Sequence, residues 1–413
     1  LVEFSHSSQT FTEPFELVLS GAGPDQTIHV ETNVDSSGST PEPNENSPKY
    51  ERPILVKNSP DRSLQVRARI IDADGTQGET VSATFIYLEE ENVNNAERYI
   101  GEPIRNFTSD LPIVVLDNFN RRRPSSDRDM HISIYEPKAE GDEKRASVRN
   151  KPDLETRGTM RQRGSSTGSW AKYSLALECR DGVDAGRDLG VLGIPPQSDW
   201  VLSGRWEFDR ALMRNPLMYE LSRKIGRYAP RTRFVEVFSN TDDGVLEAQD
   251  YMGVYSLIEK VKREPNRGDV EKRSPSDTSE PAITGGYMFK KDRLDPGDRG
   301  LRVQSMGSLG WIYPKEENVT DAQNEYLENY LNQLNGAINN FPDYTNPTTG
   351  KHYSDYINIG SWVDEHLLRI LSKDPDALRL STYLFKPRGG KVHYGPVWDF
   401  DRCLGCDSDS RSA

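Results

Sequence analysis

Four acidic residues near the end of the chain stand at spacings that suit phosphate chemistry. Asp374 and Asp376 lie in KDPDALRL, and Asp399 and Asp401 lie in VWDFDR. The residues between them read as a β-hairpin. Tyr383, Leu384 and Phe385 begin one strand, Pro387 to Gly390 supply the turn, and Lys391 to Trp398 make the return strand. An acid placed just before a hairpin and an acid pair just after it can meet at the hairpin's open end. One such carboxylate suits a base for a hydroxyl, and another a hard-oxygen ligand for a cation that holds phosphate.

A second stretch carries complementary chemistry. In RGTMRQRGSSTGSWAKYSLALEC, Met160 to Arg163 close a strand, residues 164–169 form a small-residue turn, and Trp170 to Leu177 alternate as the next strand. Backbone N–H groups of Gly164, Ser165 and Ser166 in such a turn can face phosphate oxygens. Lys172 on the following strand can reach the same oxygens as a point charge, and Arg161 and Arg163 add positive charge. There is no GK[ST] opening a helix and no GxGxxG, so neither of those phosphate loops is present. By composition alone the segment reads as an ordinary Ser/Gly hairpin turn. Asp209 and Glu220 are candidates to pair with Lys172, or form surface ion pairs.

The remaining elements must position these residues. Short alternating runs in residues 1–88 (Phe15 to Leu19, Thr27 to Thr32, Leu64 to Ile70, Ser82 to Tyr87) predict an all-β, immunoglobulin-like sandwich. Residues 89–110 are polar and read as a linker. Residues 111–291 are mostly β, with strands at Leu111 to Asp117, His131 to Tyr135, Arg233 to Phe238, Gly253 to Glu259 and Gly285 to Lys291. One helix interrupts them from about Arg210 to Ile225, capped by Asp209, with Leu212, Met213, Leu217, Leu221 and Ile225 as its apolar stripe. Residues 320–371 are mostly helical. Thr320 caps the first of two helices there, and the second carries Trp362, Val363, Leu367, Leu368 and Ile370. A β-rich lobe, then a helical lobe, then an acidic loop, hairpin and acidic loop is the order of a two-lobed kinase.

The totals narrow the function. The 413 residues are 34% hydrophobic and 28% charged, with a net charge of −13. That balance argues against nucleic acid as a partner, because phosphate neutralisation needs clustered Lys and Arg. The run Arg121-Arg122-Arg123 is flanked by acids and reads as a solvated loop. No stretch has the length and apolarity of a membrane span. Cys179, Cys403 and Cys406 are too few for a disulfide framework; Cys403 and Cys406 form one CxxC, read as a local disulfide, two idle thiols or half a metal site. The chain starts at Leu1 with no visible signal peptide, as expected of a fragment or mature form.

The sequence resembles the CotH family, the atypical secreted kinases associated with bacterial spore coats. The resemblance is carried by RGSSTGSWAKYSLAL (163–177), SDWVLSGRWEFDRALMRNPLMYELSRKIGRYAPRTRFVEVF (198–238), YMGVYSLIEKVK (251–262), GGYMFKKD (285–292), WVDEHLLRILSKDPDALRLSTYLFK (362–386) and GKVHYGPVWDFD (390–401), in the family's order. It implies an α+β, two-lobed, atypical protein-kinase-like domain over 111–413, incomplete because members continue past Asp401 and twelve residues remain here. It implies ATP with Mg²⁺ or Mn²⁺, and transfer of phosphate to a Ser or Thr of a protein substrate. Asp376 then matches the catalytic-loop aspartate. Ser381 stands five residues on, where protein kinases place a metal-binding Asn. Asp399 matches the metal-binding aspartate and Asp401 supplies a second carboxylate. Lys172 matches the phosphate-facing lysine, with Arg163, Gly164, Ser165 and Ser166 in the same segment. Glu259 falls near the adenine. A secreted or cell-surface location in a bacterium follows from the resemblance alone.

Residues 1–88 resemble the β-sandwich found at the C-terminal end of bacterial chitobiases and hexosaminidases, through FSHSSQTFTEPFELVLS, PILV and VRARIIDADGTQGETVSATFIY. That implies a spacer or a module for cell-surface carbohydrate. Two further readings stand beside the kinase. One is a catalytically silent surface-binding or structural protein with a pseudokinase-like domain. The other takes the acid pairs as a glycosidase acid and nucleophile, which leaves Lys172 and the Gly/Ser turn without a role.

Overall fold

The computed structural model describes all residues except 34–39, 58–62, 90–98, 120–122, 142, 165–166, 242–243, 295–297, 305, 378 and 407–413. Among the described residues the chain is mostly β, with three α-helices. It divides into two compact units. The first comprises Leu1–Gly204 and Arg233–Ile258, and the second Arg205–Thr232 and Glu259–Ala413.

The first unit opens with a β-sandwich. Strands Gln9–Phe11, Val81–Tyr87, Leu64–Asp72 and Gln26–Thr32 lie side by side in that order, and Phe15–Leu17 pairs with Ile54–Val56. Leu64–Asp72 shows the period-two alternation expected of a strand. Val66, Ala68 and Ile70 point into the sandwich core. Gln65, Arg67 and Arg69 face the other way, where a solvated face is predicted, yet they are buried too. Arg67 donates to the carbonyls of Thr40 (2.8 Å) and Gly182 (2.6 Å) and pairs with Asp184, which also pairs with Arg157.

The rest of this unit is a closed barrel of β1 (Ile113–Asp117), β2 (Arg128–Tyr135), β3 (Leu154–Arg163), β4 (Ser174–Arg180), β5 (Asp199–Ser203), β6 (Thr232–Asn240) and β7 (Tyr251–Glu259), in the order β1-β2-β3-β4-β5-β7-β6. Parallel pairing of β1 with β6 closes it. The apolar run of β1 is explained by burial on both faces. Val114 and Leu116 fill the barrel with Met130, Leu175, Trp200, Val237 and Leu257. Ile113 and Val115 instead join Ile86 and Leu88 of the sandwich, together with Ile104, Tyr135, Phe238 and Leu246. The backbone N–H of Glu89 donates to Leu246 O at 3.0 Å. The segment 89–110 is therefore pinned at both ends where it is described.

In the second unit, β8 (Tyr287–Lys291), β9 (Leu301–Val303), β10 (Gly307–Tyr313), β11 (Thr382–Lys386) and β12 (His393–Tyr394) form one sheet in the order β9-β10-β8-β11-β12. Helix α2 (Asp321–Ile338) packs Leu327, Leu331 and Leu334 against Tyr287, Phe289 and Leu384. Thr320 and Gln323 cap it reciprocally, as the sequence predicts.

The other two helices depart in part from the expected packing. Helix α1 (Arg214–Lys224) begins later than predicted, because Leu212 takes a positive φ of 56°. It buries Asn215, Met218, Tyr219 and Ser222, while Met213, Leu217 and Ile225 of the predicted core stripe lie exposed. Helix α3 (Ile359–Ser372) buries Ser361, Glu365, Leu368, Arg369 and Ser372 and exposes Val363, Leu367, Ile370 and Leu371. The polar faces of both helices turn inward because they hold the acidic loops in place.

Candidate acidic site

The C-terminal hairpin forms as predicted, with Leu384 opposite Tyr394 and Phe385 opposite His393. Its return strand is shorter than the sequence suggests, ending before Gly395-Pro396, since proline has no N–H for the ladder. Ser381 stands immediately before β11 and Asp399 follows β12. Ser381 Oγ donates to Asp399 Oδ2 at 3.0 Å. Arg205 Nη1 donates to Asp399 Oδ1 and, at 2.8 Å, to Asp401 Oδ2. Burial raises the Asp401 carboxyl to about 6; Arg205 opposes this, and the negative charges of Asp399 and Asp376 add to it. Asp376 pairs with Arg379 and lies 3.6 Å from Arg402 Nη1. The structure thus joins Ser381, Asp399 and Asp401 through Arg205 and the Ser381 hydroxyl, while Asp376 pairs with Arg379 and Arg402.

Helix α1 fixes the DFD segment. Asn215 Oδ1 accepts from Phe400 N at 2.6 Å, and Tyr219 OH accepts from Asp399 N at 3.2 Å. Residues four apart share a helix face, so both acceptors meet consecutive amides of one loop. The Tyr219 ring stacks on Trp398 at 6.0 Å. Arg214 donates to Asp401 O at 3.2 Å, and Asp209 Oδ2 accepts from Arg214 N at 2.7 Å. Asp209 thus satisfies the first helical N–H, from outside the expected cap position.

Helix α3 fixes the loop that carries Asp376. Arg369 is buried between Glu365 (3.1 Å) and Asp374, and it reaches Ser381 O at 3.4 Å. Asp374 Oδ1 accepts from Asp376 N at 3.0 Å. Burial raises the Asp374 and Glu365 carboxyls, and the Arg369 guanidinium opposes the rise in both. Asp374 is therefore a structural partner of Arg369, with Asp376 the more open of the two acids.

Of the remaining sequence candidates, Arg163, Gly164 and Lys172 belong to the first unit and Glu259 ends β7. Arg163 ends β3 opposite Ser174. Gly164 has a φ of 109°, and a Cβ there would collide with Thr167 Oγ1. Ser165 and Ser166 lie outside the described residues. Arg123 braces the same turn, donating to Gly168 O (2.8 Å) and Trp170 O (2.6 Å) and lying 3.7 Å over the Tyr173 ring. Lys172 sits in the turn rather than on the strand, because β4 begins at Ser174. Its Nζ lies 4.9 Å over the Tyr255 ring, and it lines a cavity of about 550 Å³ with Tyr99, Tyr173, Ser239 and Tyr251. Glu259 closes β7 fully buried; Arg231 (2.9 Å) and Arg267 (3.0 Å) both pair with it. Cys403 and Cys406 are not joined by a disulfide, and burial pushes the Cys403 thiol up to about 12.

Sequence reasoning did not single out Arg205, Asn215, Tyr219 or Arg369. The signal available was the polar spacing four apart on each helix, Asn215/Tyr219 and Glu365/Arg369, opposite an apolar stripe. Among the described residues no group of three His, Cys, Asp or Glu side chains is placed to hold a metal by itself. Two carboxylates and the Ser381 hydroxyl are the hard-oxygen donor types of Mg²⁺ or Mn²⁺. Both carboxylates already converge on one cationic nitrogen, that of Arg205, so the donor set fits a small divalent cation.

These features define a β-rich protein with an acidic cluster beside a C-terminal hairpin. A family model described as CotH kinase protein matches residues 160–413, more than half of the chain, and the chain belongs to that family. A search of curated proteins found no match. Two solved structures show a faint likeness. One is a Corynebacterium diphtheriae protein whose name describes it as membrane anchored, at 14% identity and TM-score 0.15, over 33% of this chain and 31% of that one. The other is the D00-D0 domain of intimin, at 8% identity and TM-score 0.16, over 43% of this chain and 89% of that one. Likeness at this level bears on neither fold nor function. No described helix is long and apolar enough to cross a membrane.

Proposed function

We propose that the chain is an ATP- and divalent-metal-dependent phosphotransferase that acts on a Ser or Thr hydroxyl of a protein outside the cytoplasm. Its kinase-like α+β domain follows the β-sandwich. Membership of the CotH kinase family supports the reaction class. The observation that carries the reading is the convergence of Asp399 and Asp401 on a single cationic nitrogen, with Asp376 close enough to raise Asp401.

In this reading Asp399, Asp401 and Ser381 hold Mg²⁺ or Mn²⁺. A bound metal neutralises charge on the phosphates. Asp376 orients the acceptor hydroxyl and takes its proton, and its contacts with Arg379 and Arg402 aim the carboxylate. Arg369 holds the loop beneath it. The resemblance implies a phosphate-facing role for Lys172, in the same segment as Arg163 and Gly164.

The alternative is a catalytically silent surface protein. Ser381 in place of an amide favours it. The two readings separate on nucleotide binding. ATP with Mg²⁺ or Mn²⁺ is titrated calorimetrically, and phosphate incorporation is followed, in wild type, Asp376→Asn and Asp399→Asn. Asn tolerates the positive φ of 66° at position 399, so this exchange tests charge rather than strain. The enzyme predicts ATP uptake by wild type and by Asp376→Asn, with transfer lost by about 10²-fold or more in both variants. Absence of nucleotide binding at millimolar metal selects the silent protein.

A further inference from the structure

We infer that Arg205 is an exchangeable counter-cation, which clasps Asp399 and Asp401 when metal is absent and gives them up when a divalent ion binds. The inference rests on the metal-dependent reading and concerns what this chain's own arginine does there. One nitrogen, Nη1, donates to both carboxylates. Without Arg205, two neighbouring anions would share a site with little solvent, since the Asp401 side chain is only 3% exposed.

A divalent ion held by both carboxylates would take the place between them that Nη1 now fills. A guanidinium and a divalent ion cannot share that space, because they are like charges in a poorly solvated pocket. Arg205 must therefore swing away for metal to bind. Its long side chain can do so without moving the carboxylates. The Asp399 carboxylate is also held by the Ser381 hydroxyl, and the backbones of Asp399 and Asp401 are held by Tyr219 and Arg214. The released guanidinium remains within a side chain's length of the metal site. Its planar fork matches phosphate oxygens, so it passes from carboxylate to nucleotide phosphate. Ser381 in place of an amide gives a weak third donor, and the exchange links metal uptake to arrival of the nucleotide.

The test is Mn²⁺ binding to the full chain, followed by electron paramagnetic resonance, first without nucleotide and then with ATP. Wild type, R205Q and R205K are compared. Without nucleotide, R205Q binds Mn²⁺ about tenfold or more tighter than wild type, and R205K falls between. With saturating Mn²⁺, the order reverses for ATP, and R205Q binds it about tenfold more weakly. Equal or weaker Mn²⁺ affinity in folded R205Q overturns the exchange and leaves the metal-dependent reading standing. If neither chain takes up Mn²⁺ at millimolar concentration, both fall together. Should R205Q not fold, ¹⁵N-arginine-labelled wild type decides. Mg²⁺ must shift one guanidinium resonance, identified by its loss in R205K; an unmoved resonance overturns the proposal.

Discussion

Ser381 and Asp399, eighteen residues apart, face each other with the Ser381 hydroxyl 3.0 Å from Asp399 Oδ2, and both backbones are left-handed, at φ 50° and 66°. Such a conformation costs roughly 1 kcal/mol for a residue with a Cβ. It is sustained here because each residue orients the other. Ser381→Ala keeps the strain and loses the hydrogen bond; Ser381→Gly loses the bond but relieves the strain. Urea unfolding is expected to place Ser381→Gly about 1 kcal/mol above Ser381→Ala in stability. If alanine is the more stable, the left-handed backbone at 381 is not under strain.

Arg369 neutralises Glu365 and Asp374 away from water. Arg369→Met leaves two buried carboxylates without a counter-cation, and should cost about 3–5 kcal/mol. Adding Glu365→Gln to that background should recover part of the loss. Thermal melts that show the double variant no more stable than the single would argue that the three charges do not act together.

Asn215 and Tyr219 accept from the amides of Phe400 and Asp399. Asn215→Ala and Tyr219→Phe each leave a buried N–H unsatisfied, at about 1–3 kcal/mol. The 2.6 Å bond of Asn215 should be the costlier to remove. Hydrogen exchange at Phe400 should accelerate in Asn215→Ala while the β8 amides stay protected. Uniform acceleration across the sheet would mean that Asn215 supports the whole unit rather than this loop.

Lys386 is buried in β11, where its ammonium donates to the carbonyls of Thr284 and Gly390 (2.8 Å) and lies 4.4 Å over the Tyr330 ring. Burial lowers it to about 8, with Glu271 opposing. Below pH 8 the folded and unfolded chains both carry the proton. Between about pH 8 and 10.5 the unfolded chain binds more protons, so this group makes folding more favourable as pH rises through that window. Denaturant midpoints of wild type and Lys386→Met should therefore diverge between pH 8 and 10, with wild type gaining. A constant difference would place the Lys386 proton outside this range.

Much of the scaffold is legible in the chain's local pattern. The period-two runs mark the sandwich and barrel strands, Thr320 marks the start of α2, and the hairpin after Ser381 brings Asp399 near it. Local spacing suffices in these cases because strand alternation, capping and short turns are set by neighbours in sequence. Family membership rests on residues spread from 160 to 413, which is again information in the sequence.

The faces of α1 and α3 are not decided that way. Apolar periodicity reports which side of a helix is greasy, yet Leu217 of α1 and Val363, Leu367 and Ile370 of α3 lie exposed while Leu368 is buried beside Glu365 and Arg369. Asn215, Tyr219 and Arg369 turn inward because unsatisfied amides and unpaired carboxylates in the acidic loops cost more than leaving several apolar side chains in water. Arg205 is further out of reach, since its partner Asp399 lies 194 residues away. The sequence by itself determined which residues carry charge and where the hairpin turns. Only the tertiary structure decided that a guanidinium meets the two carboxylates, because that contact is set by how distant segments pack and by no spacing along the chain.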